Sequence, residues 1–462
     1  MKRSKKSRQK LAQQPGSAGL PQIRPLVGGI DVGSQSHYVC APATEGSGTE
    51  VREFGTTTPE LLALADWLLQ LRVESVAMES TGVYWIPLFE LLESRGIEVL
   101  LVDTRHLSRV PGRKTDVLDC QWIQLLHSCG LLRGCFRPED AICHLRSLVR
   151  GKAVLIAERA DWLRRMQKCL DEMNVRLHRA VSDLHGATGM AILRAIVAGE
   201  RDPVRLAQWR DPRCRKSEES IAQELTGNWR ADHLFNLGQA LKMYDLINER
   251  LHEYQREIEA RMEALRCEEA DRRPLEPVQD KEKAKGLKRR GQEPMRRVLH
   301  GLSGADLTTI PSIGVETAEV VLTEYGPNLS RFAGEKQFVK HLRLAPRQGI
   351  SGGKPTGKGK GAKGSTRAGA ALRMAATTLR HSQSALGAYY RRIAARKGSD
   401  VAVFATARKL ATLIYRMLRW GQAYVDEGAA LSERRYQAAR IHRMQAAADQ
   451  LGYQLVPKTT AA

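Results

Sequence analysis

Asp31 stands at the end of the apolar run Gly28-Gly29-Ile30, where a buried strand gives way to Val32-Gly33 and a turn. A carboxylate so placed is held rigidly yet stays reachable. That suits metal-dependent phosphoryl transfer, because Mg²⁺ takes oxygen ligands in a tight octahedron and few of them from any one ligand group. A turn aspartate bonded to its own backbone has the same local pattern, so its partners decide. Glu79 ends the run Ser75-Val76-Ala77-Met78 ahead of Ser80-Thr81-Gly82, a second strand end of the kind that faces the crevice of an open α/β sheet. Asp116 and Asp119, at i and i+3 in Lys114-Thr115-Asp116-Val117-Leu118-Asp119, share one face of an expected helix. Like charges so close repel. A shared cation is one expectation; helix capping, or pairing with Arg113 or Lys114, is the other. Asp103, at another expected strand end, is either an extra acidic neighbour or a turn residue.

A second chemistry is open to Ser351, which precedes Gly352-Gly353 and is flanked by Arg347 and Lys354. Lys358, Lys360, Lys363, Ser365 and Arg367 follow. Cations in such a loop hold a phosphate while a hydroxyl attacks it, but serine is a poor nucleophile and needs a base or a metal. Spacing alone reads equally as a basic glycine-rich loop. Upstream, Ile310-Pro311-Ser312-Ile313-Gly314 looks like half of a helix-hairpin-helix element, whose backbone N–H groups hold a phosphate without reading sequence. A plain packing turn fits it as well.

The elements that must carry these residues follow from periodicity. Strands are expected at Val27–Asp31, Tyr38–Pro42, Val51–Gly55, Val73–Glu79 and Glu98–Val102, with helices over Pro59–Leu71 and Tyr84–Gly96. The order βββαβαβα implies a mixed central sheet. Apolar residues at threes and fours from Leu145 to Leu184, and again from Leu237 to Leu265, predict two long amphipathic helices forming a coiled-coil arm, as an antiparallel hairpin or an intermolecular bundle. Between them, 186–236 reads as a small helical cap. Residues 267–299, rich in Lys281, Lys283, Lys285, Lys288, Arg289, Arg290, Arg296 and Arg297, read as a basic linker able to lie along a phosphate backbone. Two closing helices, Arg367–Arg396 and Ala402–Asp426, precede one short helix and a tail.

Composition bounds the partners. A chain of 462 residues implies two or three domains, and a net charge of +22 points to nucleic acid. Eight cysteines without a Cys-x-x-Cys pair read as reduced thiols rather than zinc ligands. The basic start, Lys2 to Lys10, leads into no apolar core, and no run of eighteen apolar residues exists; a cytoplasmic location without membrane contact is expected.

Taken together and in order, Gly-Ile-Asp31-Val, Glu79-Ser-Thr-Gly with Lys114-Thr-Asp-Val-Leu-Asp119, and Leu344-Ala-Pro-Arg-Gln-Gly-Ile-Ser351-Gly-Gly-Lys354 resemble the IS110 family of transposases, the bridge-RNA-guided DNA recombinases. The resemblance spans Val27–Leu132 and Leu307–Trp420. It implies an α/β fold: a RuvC-like, ribonuclease-H-type domain with a long coiled-coil helical insertion. A mainly α-helical C-terminal transposase domain with the helix-hairpin-helix-like element completes it. It further implies Asp31, Glu79, Asp116 and Asp119 as Mg²⁺ ligands and Ser351 as a nucleophile forming a 5′-phosphoserine link. Arg347 and Lys354 would position the phosphate, with Lys358, Lys360, Lys363, Arg367, Lys288, Arg289 and Arg290 as further nucleic-acid contacts. Implied partners are donor and target duplex DNA, a structured guide RNA, and further copies of the chain, as a dimer assembling to a tetramer. In such an assembly the acidic site of one subunit faces the serine of another. The expected layout is a basic arm at 1–24, the acidic domain at 25–138, the arm at 139–266, the linker at 267–299, the serine-bearing domain at 300–430 and a tail at 431–462. Ile350 precedes Ser351 where relatives often carry another serine, which leaves Ser365 as a distant second nucleophile. A structure-selective nuclease in which Ser351 only binds DNA, and a non-catalytic nucleic-acid scaffold, are the alternative readings.

Overall fold

Alternation along strand β1 (Val27–Val32) sends Ile30 and Val32 to one face of a sheet and Gly29 and Asp31 to the other. This computed structural model describes residues 21–43, 48–80, 82–102, 116–214, 216–278, 281–345, 349–351, 354–356 and 364–456, with the backbone alone at 116–118, 281–282, 349–351 and 354–356. The chain divides into two compact units between Arg137 and Pro138.

In the first unit β1 is joined by β2 (Ser36–Pro42), β3 (Thr49–Gly55), β4 (Ser75–Glu79) and β5 (Glu98–Val102) in the order β3-β2-β1-β4-β5. The β1–β2 and β2–β3 pairs are antiparallel, whereas β1–β4 and β4–β5 are parallel. Helices α1 (Thr58–Gln70) and α2 (Trp85–Ser94) bury Leu64, Leu68, Leu88 and Leu92 against Ile30 and Met78. Helix α3 (Asp116–Ser128) covers the opposite face, where Ile123 packs with Ala77 and Val102. The element order is the one read from periodicity, and the mixed α/β sheet is as expected of a RuvC-like domain.

The second unit begins with two long helices, α4 (Asp140–Glu172) and, further on, α8 (Ala231–Ala264). They run antiparallel, for Lys152 bonds Gln255, Arg159 bonds Asn248, and Glu172 meets His233. The first is shorter than its periodicity predicts. Asn174 takes a left-handed φ of 57°, which ends the helix, so Leu177, Val181 and Leu184 fold back into the apolar core at the end of the arm instead of lengthening it. Helices α5 (Ala187–Val197), α6 (Pro203–Ala207) and α7 (Glu218–Leu225) build that knob with Met166, Leu170 and Leu241.

Residues 267–299 are not open linker throughout. They form a helical turn at Glu268–Arg272, then α9 (Lys281–Arg289) and α10 (Glu293–Ser303), which buries Met295 and Leu299. Helices α11 (Val315–Tyr325) and α12 (Glu335–His341) lead to a two-stranded hairpin, β6 (Gly349–Ser351) and β7 (Lys354–Thr356). Where two closing helices were expected there are three, α13 (Arg367–Thr378), α14 (Ala385–Lys397) and α15 (Ser399–Trp420). Ser384 makes the extra break: its side chain accepts from the Gly387 N–H and caps α14. The last helix, α16 (Gly428–Gln450), is longer than expected and buries none of its residues. Among the described residues no helix is long and apolar enough to cross a membrane.

Candidate active site

The acidic corner is built by one close approach. A Cβ at Gly29 would overlap the Gln124 backbone nitrogen and the Cys120 carbonyl, so α3 lies directly on β1 only because residue 29 has no side chain. Gln124 Nε2 donates to the Val27 carbonyl at 3.3 Å, and the buried Ser75 Oγ and His127 Nε2 meet at 2.9 Å. These contacts fix the helix direction. His127 lies over the start of β4 and Cys120 over the middle of β1, so the N-terminal turn of α3 lies toward the C-terminal ends of the parallel strands.

Those ends carry the acids. Ile30 pairs with Met78 across β1 and β4, so Asp31 and Glu79 are the next residues on adjacent strands. Asp31 shares its face with Gly29, and Glu79 shares its face with Ser75 and Ala77, both of which α3 covers. Both carboxylates are half-buried, as is Asp119. On α3 the inward residues Cys120, Ile123, Gln124 and His127 form one stripe. Burial, then the neighbouring Cys40 and Asp31, raise the Cys120 thiol, so the field of Asp31 reaches the helix. Burial also lowers His127 to about 4, with Arg24 adding to the effect and Glu98 opposing it.

Among the described residues no three carboxylate, imidazole or thiol groups stand close enough together to hold a metal ion. The Asp116 side chain and Asp103 lie outside them. The donors that the fold does bring to this corner are carboxylate oxygens, which suit a hard divalent cation rather than zinc or copper.

In the second unit Ser351 and Lys354 are cross-strand partners at the end of the β6–β7 hairpin, separated by the two glycines 352 and 353. Arg347, Lys358, Lys360 and Lys363 lie outside the described residues. Arg367 opens α13, its Nε 3.7 Å from the Glu324 carboxylate. Lys288, Arg289 and Arg290 are exposed at the end of α9, which is anchored by buried Leu287. Arg296 does not belong with them. It is 3% exposed and bonds Asp306 at 2.6 and 3.1 Å, Glu293 at 3.0 Å and the Glu276 carbonyl at 2.7 Å. Ser312 holds the left-handed φ of 73° in the turn before α11. Sequence reasoning passed over Glu324, Arg146 and Arg150, which converge on one another; only the i, i+4 arginine pair hints at them. It also passed over Gly29, for which the glycine doublet inside a strand was the signal.

A five-stranded mixed sheet with carboxylates at its strand ends is followed by a mainly helical part that carries a serine on a hairpin. Residues 28–175 match the DEDD transposase family of the IS110 group, and residues 304–391 match the family described as Transposase IS116/IS110/IS902. The chain belongs to the IS110 family of transposases and is a DNA transposase, an enzyme that binds DNA. Its DEDD domain points to dependence on a divalent metal. No curated protein matches the chain.

Proposed function

We propose that the chain is an RNA-guided, site-specific DNA recombinase that cuts and rejoins donor and target DNA through a 5′-phosphoserine at Ser351. The observation that carries the acidic half is the register of Asp31 beside Glu79, on the face covered by the helix that bears Asp116 and Asp119. These four residues hold Mg²⁺, which when bound neutralises charge building on the transferring phosphoryl group. The acidic chemistry belongs to 25–138 and the serine chemistry to 300–430.

In the cutting step the Ser351 oxygen forms a bond to phosphorus and the bond to the 3′ oxygen breaks. The serine proton leaves to a base and the departing 3′ oxygen takes one up. The phosphodiester is conserved as the seryl ester, so a 3′ hydroxyl of the other strand reverses the step and rejoining needs no ATP. Arg347 and Lys354 hold the phosphate; the pairing of Ser351 with Lys354 across the hairpin supports this role for the lysine. Base pairing with a guide RNA supplies sequence choice, and the protein reads backbone and shape. A net charge of +22 and the exposed cations Lys288, Arg289 and Arg290 support a second nucleic acid. Val154 and Ile156 of α4 and Met243 and Leu246 of α8 stay exposed, apolar surface that supports assembly of copies, as a dimer growing to a tetramer.

A covalent-capture assay tests this reading. Full-length protein, the noncoding RNA transcribed beside its gene and labelled donor and target duplexes are mixed with Mg²⁺ and run on a denaturing protein gel. Label migrating with the wild type, absent in Ser351→Ala, is the expected result. Cleaved DNA without an adduct in either lane makes the protein a nuclease; adduct formation without the RNA removes the guide.

A further inference from the structure

We propose that Arg150 and Arg367, gathered by Glu324 at the neck of the serine-bearing segment, bind one phosphodiester group of the DNA. This deepens the reading of Ser351 as the residue that engages DNA and rests on it. The neck is where the chain leaves α12 and returns into α13. There the Thr366 hydroxyl donates to the Leu342 carbonyl at 3.4 Å, and Arg373 Nη2 donates to Ser365 Oγ at 2.8 Å. Arg343 sits in the left-handed region at φ 59°, its guanidinium against Gly364, where a Cβ would overlap it. Gly364 itself has φ 80°, so both flanks of the neck hold conformations that L side chains rarely adopt.

Glu324, at the end of α11, is the anion of this neighbourhood. Arg150 donates to both of its carboxylate oxygens, at 2.9 and 2.7 Å. Arg146 Nη2 donates to its backbone carbonyl at 2.7 Å, with Nε 3.6 Å from the carboxylate. Arg367 Nε stands 3.7 Å away, outside hydrogen-bond range. Three guanidinium groups therefore surround one carboxylate that is only 12% exposed, with Arg343 beside the same neck. One carboxylate shared by Arg146, Arg150 and Arg367 leaves these four groups with a net positive charge in a partly desolvated place. Such a cluster repels itself unless an anion completes it. Arg150 and Arg367 remain 48% and 41% exposed, so they are the two that present the excess charge outward. A phosphodiester has one negative charge and two free oxygens, the geometry that guanidinium forks match. DNA is the source that the family activity provides.

The experiment uses full-length protein and a donor duplex, with the apparent binding constant measured over a salt series. Arg150→Gln, Arg367→Gln and the double variant are compared with Arg434→Gln on the exposed helix α16. One shared phosphate predicts that the slope of log K against log salt falls by about 0.9 in the double variant and by no more than that in either single variant. Arg434→Gln is expected to leave it unchanged. Glu324→Gln, which removes the carboxylate that the three arginines share, is expected to bind DNA more tightly at low salt; a purely structural glutamate predicts weaker binding. An unchanged slope in the double variant, a fall there of about 1.8, an equal fall in Arg434→Gln, or an effect on an RNA transcript but not on DNA would each overturn the site. Covalent capture run in parallel separates the two readings. Adduct with unchanged slopes sinks the phosphate site alone, and changed slopes without adduct sink the serine chemistry alone.

Discussion

Asp31 and Glu79 stand side by side near the C-terminal ends of adjacent parallel strands, one step beyond the Ile30–Met78 pair, on the face that α3 covers. Two like charges on neighbouring strands cost about 0.2–1 kcal/mol when nothing compensates them. A bound cation reverses that sign, because a ligand of the folded state alone adds stability by mass action.

The metal prediction follows directly. In chelator, wild type and Asp31→Asn each give a metal-free melting temperature as reference. In millimolar Mg²⁺ the wild type rises and the variant does not, while adduct formation in the variant falls by at least about a hundredfold. Thermal melts with and without Mg²⁺ check the first part independently of activity. Equal Mg²⁺ shifts in both proteins would remove Asp31 from the ligand set.

His127 gives a pH dependence that has nothing to do with catalysis. The imidazole is 2% exposed, bonded to Ser75 Oγ at 2.9 Å, and lowered to about 4 mainly by burial. Unfolded, it protonates near the ordinary histidine value of 6.5, so the unfolded chain binds the extra proton first as pH falls. Its contribution is complete above that value and is lost progressively between pH 6.5 and about 4, by about 3 kcal/mol in all. Denaturant unfolding of wild type and His127→Gln across this range is the check. The variant should be less stable at neutral pH and show a flatter decline below pH 6.5; parallel curves would refute the assignment.

How much of this was legible in the sequence depended on which force decided each part. The order of strands and helices in the first unit was readable, because alternation and 3.6-residue periodicity report burial directly, and the sheet's apolar strands such as Val27–Val32 have few other uses. The acids could be named one by one, but their gathering could not, because it depends on β1–β4 register and on Gly29 letting α3 down onto the strand. The arm was read too long because the spacing of Leu177, Val181 and Leu184 survives the left-handed turn at Asn174. Glu324 and its arginines were invisible, since Arg150 and Glu324 are separated by 174 positions and nothing local marks the pair.

Arg296 shows why composition misreads a basic stretch, and it yields the last prediction. Its neighbours on α9 are solvated cations, but α10 carries Arg296 inward beside Met295 and Leu299. There its partner Asp306, 12% exposed, also accepts from the Thr308 N–H and hydroxyl, at 3.0 and 2.6 Å, at the short helical turn ahead of α11. Removing the cation strands a mostly buried carboxylate, the costly half of any buried pair. Arg296→Ala is therefore expected to lose about 3–5 kcal/mol of stability. Arg296→Lys should recover only part of it, since one ammonium cannot replace a fork that reaches Asp306, Glu293 and the Glu276 carbonyl together. Urea unfolding measures the loss, and the salt slope of DNA binding measured on the folded fraction should stay at the wild-type value. A lowered slope with unchanged stability would return Arg296 to the phosphate backbone where its composition first put it.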